Sequence, residues 1–458
     1  MIPIVTPEEM GAIDRAAPEP VEVLIGRAGF AVARAAVAML GGAYGRRVVL
    51  VAGRGNNGND GRVAAEHLRR RGASVIEFAA GEHPAVLPPA DLLIDAAYGT
   101  GFHGRWDPPD PGAAAVLAVD LPSGLDALTG EAEGEVIDAD LTVSFQALKP
   151  GLLFGRGAAA AGSIDVVDIG LDASGAAAHL LTGDDVAALW PVRRVDDHKW
   201  RGAVRVIGGS DGMTGAPRLA AEAAARAGAG LVSVSSPAGR VDASPEILSP
   251  GLPAERWADE VLGGGLDRFG ALVVGPGLGR GADVAAEARR LIAEAPCPLV
   301  VDGDGLFALT EGASPAEVVA GRESPTVLTP HDGEFARLTG SSPWADRIAA
   351  AREAAHRIGC TVLLKGPTTV VADPTGDVLV VDHGDERLAT AGTGDVLSGV
   401  IGAALARGAS GLEAAAAGAW LHADAAHRGP ALGLVAGDVT VRLPEALAGL
   451  WARPSGER

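Results

Sequence analysis

Short, wholly apolar runs alternate with stretches of helical period along most of this chain. RVVLVAG (47–53), SVIEFAAG (74–81), DLLIDAAYG (91–99), AVLAVDLPSG (115–124), LTVSFQA (141–147) and SIDVVDIGL (163–171) are too short for stable helices, and most are rich in β-branched residues. Such runs predict strands, several of them buried on both faces. A helix is expected over 59–71, and residues 7–45 read as amphipathic helix interrupted at Pro18 and Pro20. Around 172–184 the text turns small, polar and glycine-containing, as a link between domains should. The alternation then resumes with VRVIGG, LVSVSS, ALVVGPGLG, PLVVDGDG, TVLTPHDGEF, TVLLKGPTTVV and DVLVVDHG, and Ala-rich helices are expected over 394–407, 411–428 and 437–451. The pattern predicts an α/β protein with two domains, each a mainly parallel sheet covered by helices.

Composition narrows the chemistry. The 458 residues carry a formal charge of −20, which argues against a nucleic-acid partner but not against nucleotides held by backbone N–H groups. Cys297 and Cys360 lie far apart and form no disulfide framework or zinc pattern. No uninterrupted apolar run reaches the roughly 18–20 residues that span a bilayer, and residues 1–17 do not read as a secretory leader, so a cytoplasmic protein without a membrane partner is expected. Only three lysines stand against thirty-five arginines: Lys149, Lys199 and Lys365. Each sits beside glycine or histidine in motif-like text, where a compact ammonium that arginine cannot imitate would be useful.

In the first domain GRGNNG (53–58) follows a strand and precedes a helix, which is the spacing of a dinucleotide-binding loop. The helix would aim N–H groups at an anion, yet Asn56, Asn57 and Asp60 suit a polar ligand or a hard cation better than a pyrophosphate. Asp95, Asp120, Ser123 and Asp126 follow at strand ends, where ligands bind in such sheets. In the second domain AGTGDVLSG (391–399) places glycine N–H groups at a helix start with Asp395 at its mouth, an anion hole beside a base. LLKGPTT (363–369) adds a lysine and two threonines after a strand, suited to a nucleotide phosphate, and the chain has no P-loop.

The co-ordered motifs GNNGND, DAAYGTG, VDLPSGLD and LKPGL resemble the NAD(P)H-hydrate epimerase domain, over about residues 5–171. HKWRG, GGSDGMTGAP, GPGLG, TPHDGEF, LLKGPTT and AGTGDVLSG resemble the NAD(P)H-hydrate dehydratases of the ribokinase-like superfamily. Together the resemblances imply two three-layer αβα domains, Rossmann-like over 1–175 and ribokinase-like over 182–453. They imply a repair enzyme for hydrated NADH and NADPH: the first domain epimerises R and S hydrates, and the second dehydrates the S hydrate with Mg²⁺ and ADP, giving AMP and phosphate. The hydrate is thus substrate and not cofactor. A small-molecule alcohol kinase is the competing reading of the second domain.

By carry-over, Asn56, Asn57, Gly58, Asn59, Asp60, Gly99, Thr100, Gly101, Phe102, His103, Gly104, Arg105 and Asp120 would contact the hydrate in the first domain, with Asp120 as acid/base and Lys149 as its orienting or protonating helper. Asn57, Asp95 and Ser123 would hold K⁺. In the second domain Ala216, Gly277, His331 and Asp395 would contact the hydrate, with Asp395 as base. Lys365, Gly366, Pro367, Thr368, Thr369 and Gly394 would hold the nucleotide. Asn59 stands where the family commonly has glycine, and Gly26 lies in LIGRAG where it commonly has M-E-x-A-G. A homo-oligomer is expected.

Overall fold

The computed structural model describes residues 1–452, so residue 453, the last of the expected second domain, lies outside the described residues. The chain divides into two compact units, one spanning Ile2–Ala178 and the other beginning at His179.

In the first unit the strands are β1 (Ile2–Ile4), β2 (Arg47–Ala52), β3 (Ser74–Ala79), β4 (Leu92–Ala96), β5 (Ala115–Val119), β6 (Leu141–Phe145) and β7 (Ser163–Val167). Its sheet runs β3-β2-β4-β5-β6-β7, and every pairing in it is parallel. Alternate residues serve opposite faces, as the strand period requires. Val48, Leu50, Ile94 and Leu117 pack under the helices Val21–Leu40 and Asn56–Arg70, whereas Val49, Val51, Leu93 and Ala118 join a second core with Trp106, Ile137 and Ala139. That second face is covered mainly by connecting segments, because residues 80–114 and 120–140 contain little helix.

The helix Val21–Leu40 is long and apolar enough, by length and composition, to cross a membrane, which the search for uninterrupted apolar runs had not anticipated. Its Leu24, Ala28, Val32, Ala36 and Leu40 are buried in the core of the first unit, and Gly29 lets it approach Val63 of the neighbouring helix closely. This is the packing of an internal helix, whose apolar character serves burial.

The second unit contains β8 (Ala178–Leu180), β9 (Ala203–Ile207), β10 (Leu231–Ser235), β11 (Ala271–Val274), β12 (Leu299–Val301), β13 (Thr326–Leu328), β14 (Thr361–Leu364), β15 (Thr369–Ala372) and β16 (Val378–Val381). The order is β8-β16-β15-β14-β13-β12-β11-β9-β10, parallel from β14 to β10, with β14, β15 and β16 antiparallel. Helices Gly215–Arg226, Thr393–Ala406, Gly411–His427 and Ala436–Ala452 bury one face with Val204, Val206, Val273 and Val300. Helices Ala282–Glu294 and Arg347–Ile358 belong to the other covering layer. In both units the loops that carry the candidate site residues gather at the C-terminal ends of parallel strands.

Candidate active sites in the two units

The first unit holds a cavity of about 960 Å³ above β2, β4 and β5. Its floor is the loop from β2 into the helix Asn56–Arg70. The helix starts at Asn56, three residues earlier than expected, with Gly55 as its N-cap. Gly58 is required there by space: an added Cβ would stand 2.1 Å from the Gly53 carbonyl oxygen. Asp60 therefore sits beyond the first turn. It is 7 % exposed and faces the cavity.

Asp120 follows β5 with φ of +67°, a left-handed conformation that Asp tolerates better than most residues. Its backbone N–H donates to Val143 O at 2.8 Å, which anchors the turn. The Asp120 Oδ1 accepts from Lys149 Nζ at 2.5 Å and from Ser144 Oγ at 3.3 Å. The ammonium also donates to the carbonyls of Phe145 (3.1 Å) and Ala147 (3.2 Å) and to Ser144 Oγ (3.2 Å), and the side chain is 1 % exposed. Asp14, from the helix Pro7–Ala16, faces the same cavity. Burial above all, then the charges of Asp120 and Asp14, push the Asp60 carboxyl up to about 8. Burial likewise raises Asp14, against a pull from Lys149.

Behind the cavity, Ser123 Oγ donates to Asp95 Oδ1 at 2.6 Å, and Ser123 N–H donates to Asp95 Oδ2 at 2.9 Å. Asn57 Nδ2 donates to Tyr98 O at 2.9 Å, while the buried Asn57 Oδ1 has no hydrogen-bond partner among the described residues. A buried acceptor left unmatched near the side-chain oxygens of Asp95 and Ser123 is the donor chemistry that a hard cation satisfies.

In the second unit Gly392, with φ of +89°, caps the helix Thr393–Ala406 without a side-chain cap, and the Thr393 N–H donates to Thr390 O at 3.3 Å. An added Cβ at Gly394 would touch Lys365 Nζ (3.5 Å) and Asp302 Oδ2 (3.9 Å), so this glycine keeps the space above both charges clear. Lys365 Nζ donates to Asp302 Oδ1 at 3.0 Å and lies 3.7 Å from Glu334 Oε2. Burial pulls the lysine down, but Asp302 and Glu334 outweigh it and hold the ammonium above its usual range. Asp395 is pushed up to about 7, first by burial and then by Asp302, against an opposing pull from Lys365. A carboxyl that titrates near neutrality at the mouth of an anion hole can act as a general base.

Family comparison decides what these two constellations have in common with known proteins. Residues 204–444 match the family described as NAD(P)H-hydrate dehydratase, and residues 21–87 and 76–151 match the YjeF-related protein N-terminus. The bifunctional NAD(P)H-hydrate repair enzyme Nnr of Mycobacterium leprae is 41% identical over 443 residues, covering 89% of each chain. The protein of that name from Moorella thermoacetica is 35% identical over 516 residues, covering 98% of this chain and 97% of its own. The chain belongs to the bifunctional NAD(P)H-hydrate repair enzymes. Among solved structures, an ADP/ATP-dependent NAD(P)H-hydrate dehydratase from Bacillus subtilis, co-crystallised with ATP/Mg²⁺, is 30% identical with a TM-score of 0.50, covering 59% of this chain and 97% of its own. A ribokinase-like superfamily protein from Enterococcus faecalis, at 24% identity and TM-score 0.52, shares the fold. This repair enzyme accordingly has an epimerase-type first domain and a dehydratase-type second domain.

The structure brings Asn56, Asn57, Asp60, Gly99, Thr100, Gly101, Phe102, His103, Asp120 and Lys149 to one cavity wall. Gly58, Asn59, Gly104 and Arg105 are not part of that wall: Gly58 packs on Gly53, Asn59 accepts from Arg62, and Arg105 pairs with exposed Asp107. Asn59 occupies an ordinary helical position, so its side chain strains nothing in the repair enzyme's loop. In the second unit Gly277 and Ala216 are neighbours, since a Gly277 Cβ would stand 3.1 Å from Ala216 Cβ. His331 caps the helix Asp332–Thr339, its Nδ1 accepting from the N–H groups of Gly333 (3.0 Å) and Glu334 (3.4 Å). Its Nε2 lies 3.5 Å from Glu334 Oε2. Thr369 donates to Gly366 O, and Arg347 donates to Lys365 O, fixing the LKGPTT turn. Asp14 was missed because a single acid in an amphipathic helix carries no local signal. His422 was missed for the same reason; it is buried in the helix Gly411–His427, and burial pushes it down to about 4.

Proposed function

We propose that residues 1–175 interconvert the R and S hydrates of NADH and NADPH, and that residues 182–453 dehydrate the S hydrate with ADP, releasing NAD(P)H, AMP and phosphate. The observation that carries the second half is Asp395 at the start of Thr393–Ala406, beside Gly394 and the ammonium of Lys365.

In this reading Asp395 takes the proton of the hydrate's hydroxyl as its oxygen attacks the terminal phosphorus of ADP. AMP leaves, and the helix N-terminus and Lys365 stabilise the transferred charge. The phosphate ester then eliminates, and the ring regains its double bond. Phosphate departs where hydroxide would not. Ala216, Gly277 and His331 would orient the hydrate, and Lys365–Thr369 with Gly394 would hold the nucleotide, which arrives with Mg²⁺. In the first domain Asp120, held by Lys149, would act at the hydrated carbon. Asn57, Asp95 and Ser123 would hold a potassium ion, whose charge would fix the Tyr98–Gly101 loop; the unmatched Asn57 Oδ1 supports that assignment. The substrates are soluble nucleotides, so the proposal extends to a cytoplasmic enzyme, taken here as a homo-oligomer that light scattering would test.

The deciding experiment supplies mixed R and S hydrates of NADH with Mg²⁺, K⁺ and either ADP or ATP, and follows the return of dihydronicotinamide absorbance. Full recovery with ADP supports both halves. Recovery limited to the S fraction removes the epimerase half, and accumulation of a stable phosphorylated alcohol replaces the dehydratase with a kinase.

A further inference from the structure

Three aspartates and one lysine line the cavity of the first unit, and they are not equivalent. Asp14 enters from the helix Pro7–Ala16, Asp60 from the helix Asn56–Arg70, Asp120 from the end of β5, and Lys149 from the segment after β6. Lys149 is committed to Asp120 at 2.5 Å and to two backbone carbonyls. Asp60, 7 % exposed, has no hydrogen-bond or cationic partner for its carboxyl among the described residues. Arg62, two residues further along the helix, is turned to Glu77 at 2.8 Å, and Glu19 is held by Arg27. The other charged groups at the cavity, Arg54, Glu82 and His103, are exposed at its mouth. An unpaired buried carboxylate is costly, so the fold favours the neutral acid at Asp60, whereas Asp120 is paired with the Lys149 ammonium.

We propose that Asp60 is a second catalytic residue of the epimerase, the proton donor that complements Asp120 as proton acceptor. The inference rests on the epimerase reading and goes beyond it by dividing the acid and base work between two carboxyls. Hydration of a dihydronicotinamide, an enamine, puts the hydroxyl on the carbon bonded to the ring nitrogen. The C–O bond breaks as the Asp60 proton moves to that oxygen, giving water and a ring cation in which the nitrogen lone pair fills the vacancy. Water adds to the opposite face, the new C–O bond forms, and its surplus proton passes to Asp120. One proton has moved from Asp60 to Asp120, and exchange with solvent resets the pair. Asp60 held near 8 by burial and by its two acidic neighbours is matched to such proton transfer at neutral pH.

The test uses the full-length enzyme and purified R hydrate without nucleotide, so that the dehydratase is idle, and follows appearance of S by chromatography. The wild-type rate should fall on the alkaline side with a midpoint at about 8, as Asp60 loses its proton. D60N should lower kcat by about 10²–10⁴-fold with KM little changed, and the alkaline limb should vanish. D60E should recover part of the rate together with a limb. D60N turning over as fast as wild type, or keeping the limb, overturns the proposal while leaving the epimerase reading intact. A wild-type protein that leaves the R hydrate untouched sinks both. If D60N does not fold, D60E decides: activity with an alkaline limb supports the assignment, and activity without one refutes it.

Discussion

Replacing Asp395 by Asn should abolish dehydration and, at the same time, stabilise the second unit above neutral pH. Burial first and Asp302 second raise its carboxyl from 3.8 to about 7. The fold therefore holds Asp395 protonated over a range in which the unfolded chain has already released the proton. Well below about 4 both states are protonated and the group contributes nothing; as pH rises the folded state loses stability relative to the unfolded one, and above about 7 the full penalty stands. Three units at about 1.4 kcal/mol each set a ceiling of about 4 kcal/mol, and relaxation around a partly exposed site reduces the expectation to about 1–3 kcal/mol. Asn matches the shape of Asp without the charge, so D395N should be more stable than wild type by that amount at pH of about 8, the gain shrinking steadily toward about pH 5. The assay is urea unfolding, with the second unit's transition identified as the one that ADP displaces. D395N less stable than wild type at the higher pH, or a difference that does not change with pH, would refute the reasoning. The wild-type dehydration rate should rise with pH through about 7, because the base must be ionised.

Other expectations follow from single contacts. Lys149→Met leaves Asp120 and two carbonyls without their donor; breaking a buried pair costs about 3–5 kcal/mol, so the first unit should lose that much in urea unfolding and cease to epimerise. Gly58→Ala would force a Cβ to 2.1 Å from Gly53 O and should destabilise the first unit, whereas Gly26→Ala meets nothing within 4 Å and should stabilise its helix by about 0.5–1 kcal/mol with epimerase activity retained. Equal effects of the two substitutions on thermal unfolding would contradict the space argument. If Asn57 Oδ1 awaits a cation, KCl should raise the melting temperature of wild type relative to choline chloride at equal ionic strength, and Asn57→Leu should lose that increment.

Local sequence carried more of this protein than its length suggests. Apolar runs marked most of the strands correctly, since a strand buried on both faces needs no partner to look apolar, and the glycine loops at 53–58 and 391–394 announced helix starts open to a ligand. Rarity of lysine singled out Lys149 and Lys365, which both proved to be paired with aspartates, and Lys199, which is exposed. What the sequence could not supply was distance. Asp14, Asp60, Asp120 and Lys149 come from four elements, and nothing in the period of any one of them says that they face one cavity. The protonation of Asp14 and Asp60 depends on that meeting, because burial and neighbouring charge act through space. The same holds for Asn57, whose unmatched oxygen becomes significant only beside Asp95 and Ser123, and for Asp60, whose role changed once the helix was found to begin at Asn56. Residue types and their periods determined the elements and the kinds of chemistry available. The register of the sheets and the paths of the connecting segments decided which groups share a site, and hence which carboxyl is paired and which is left to carry a proton.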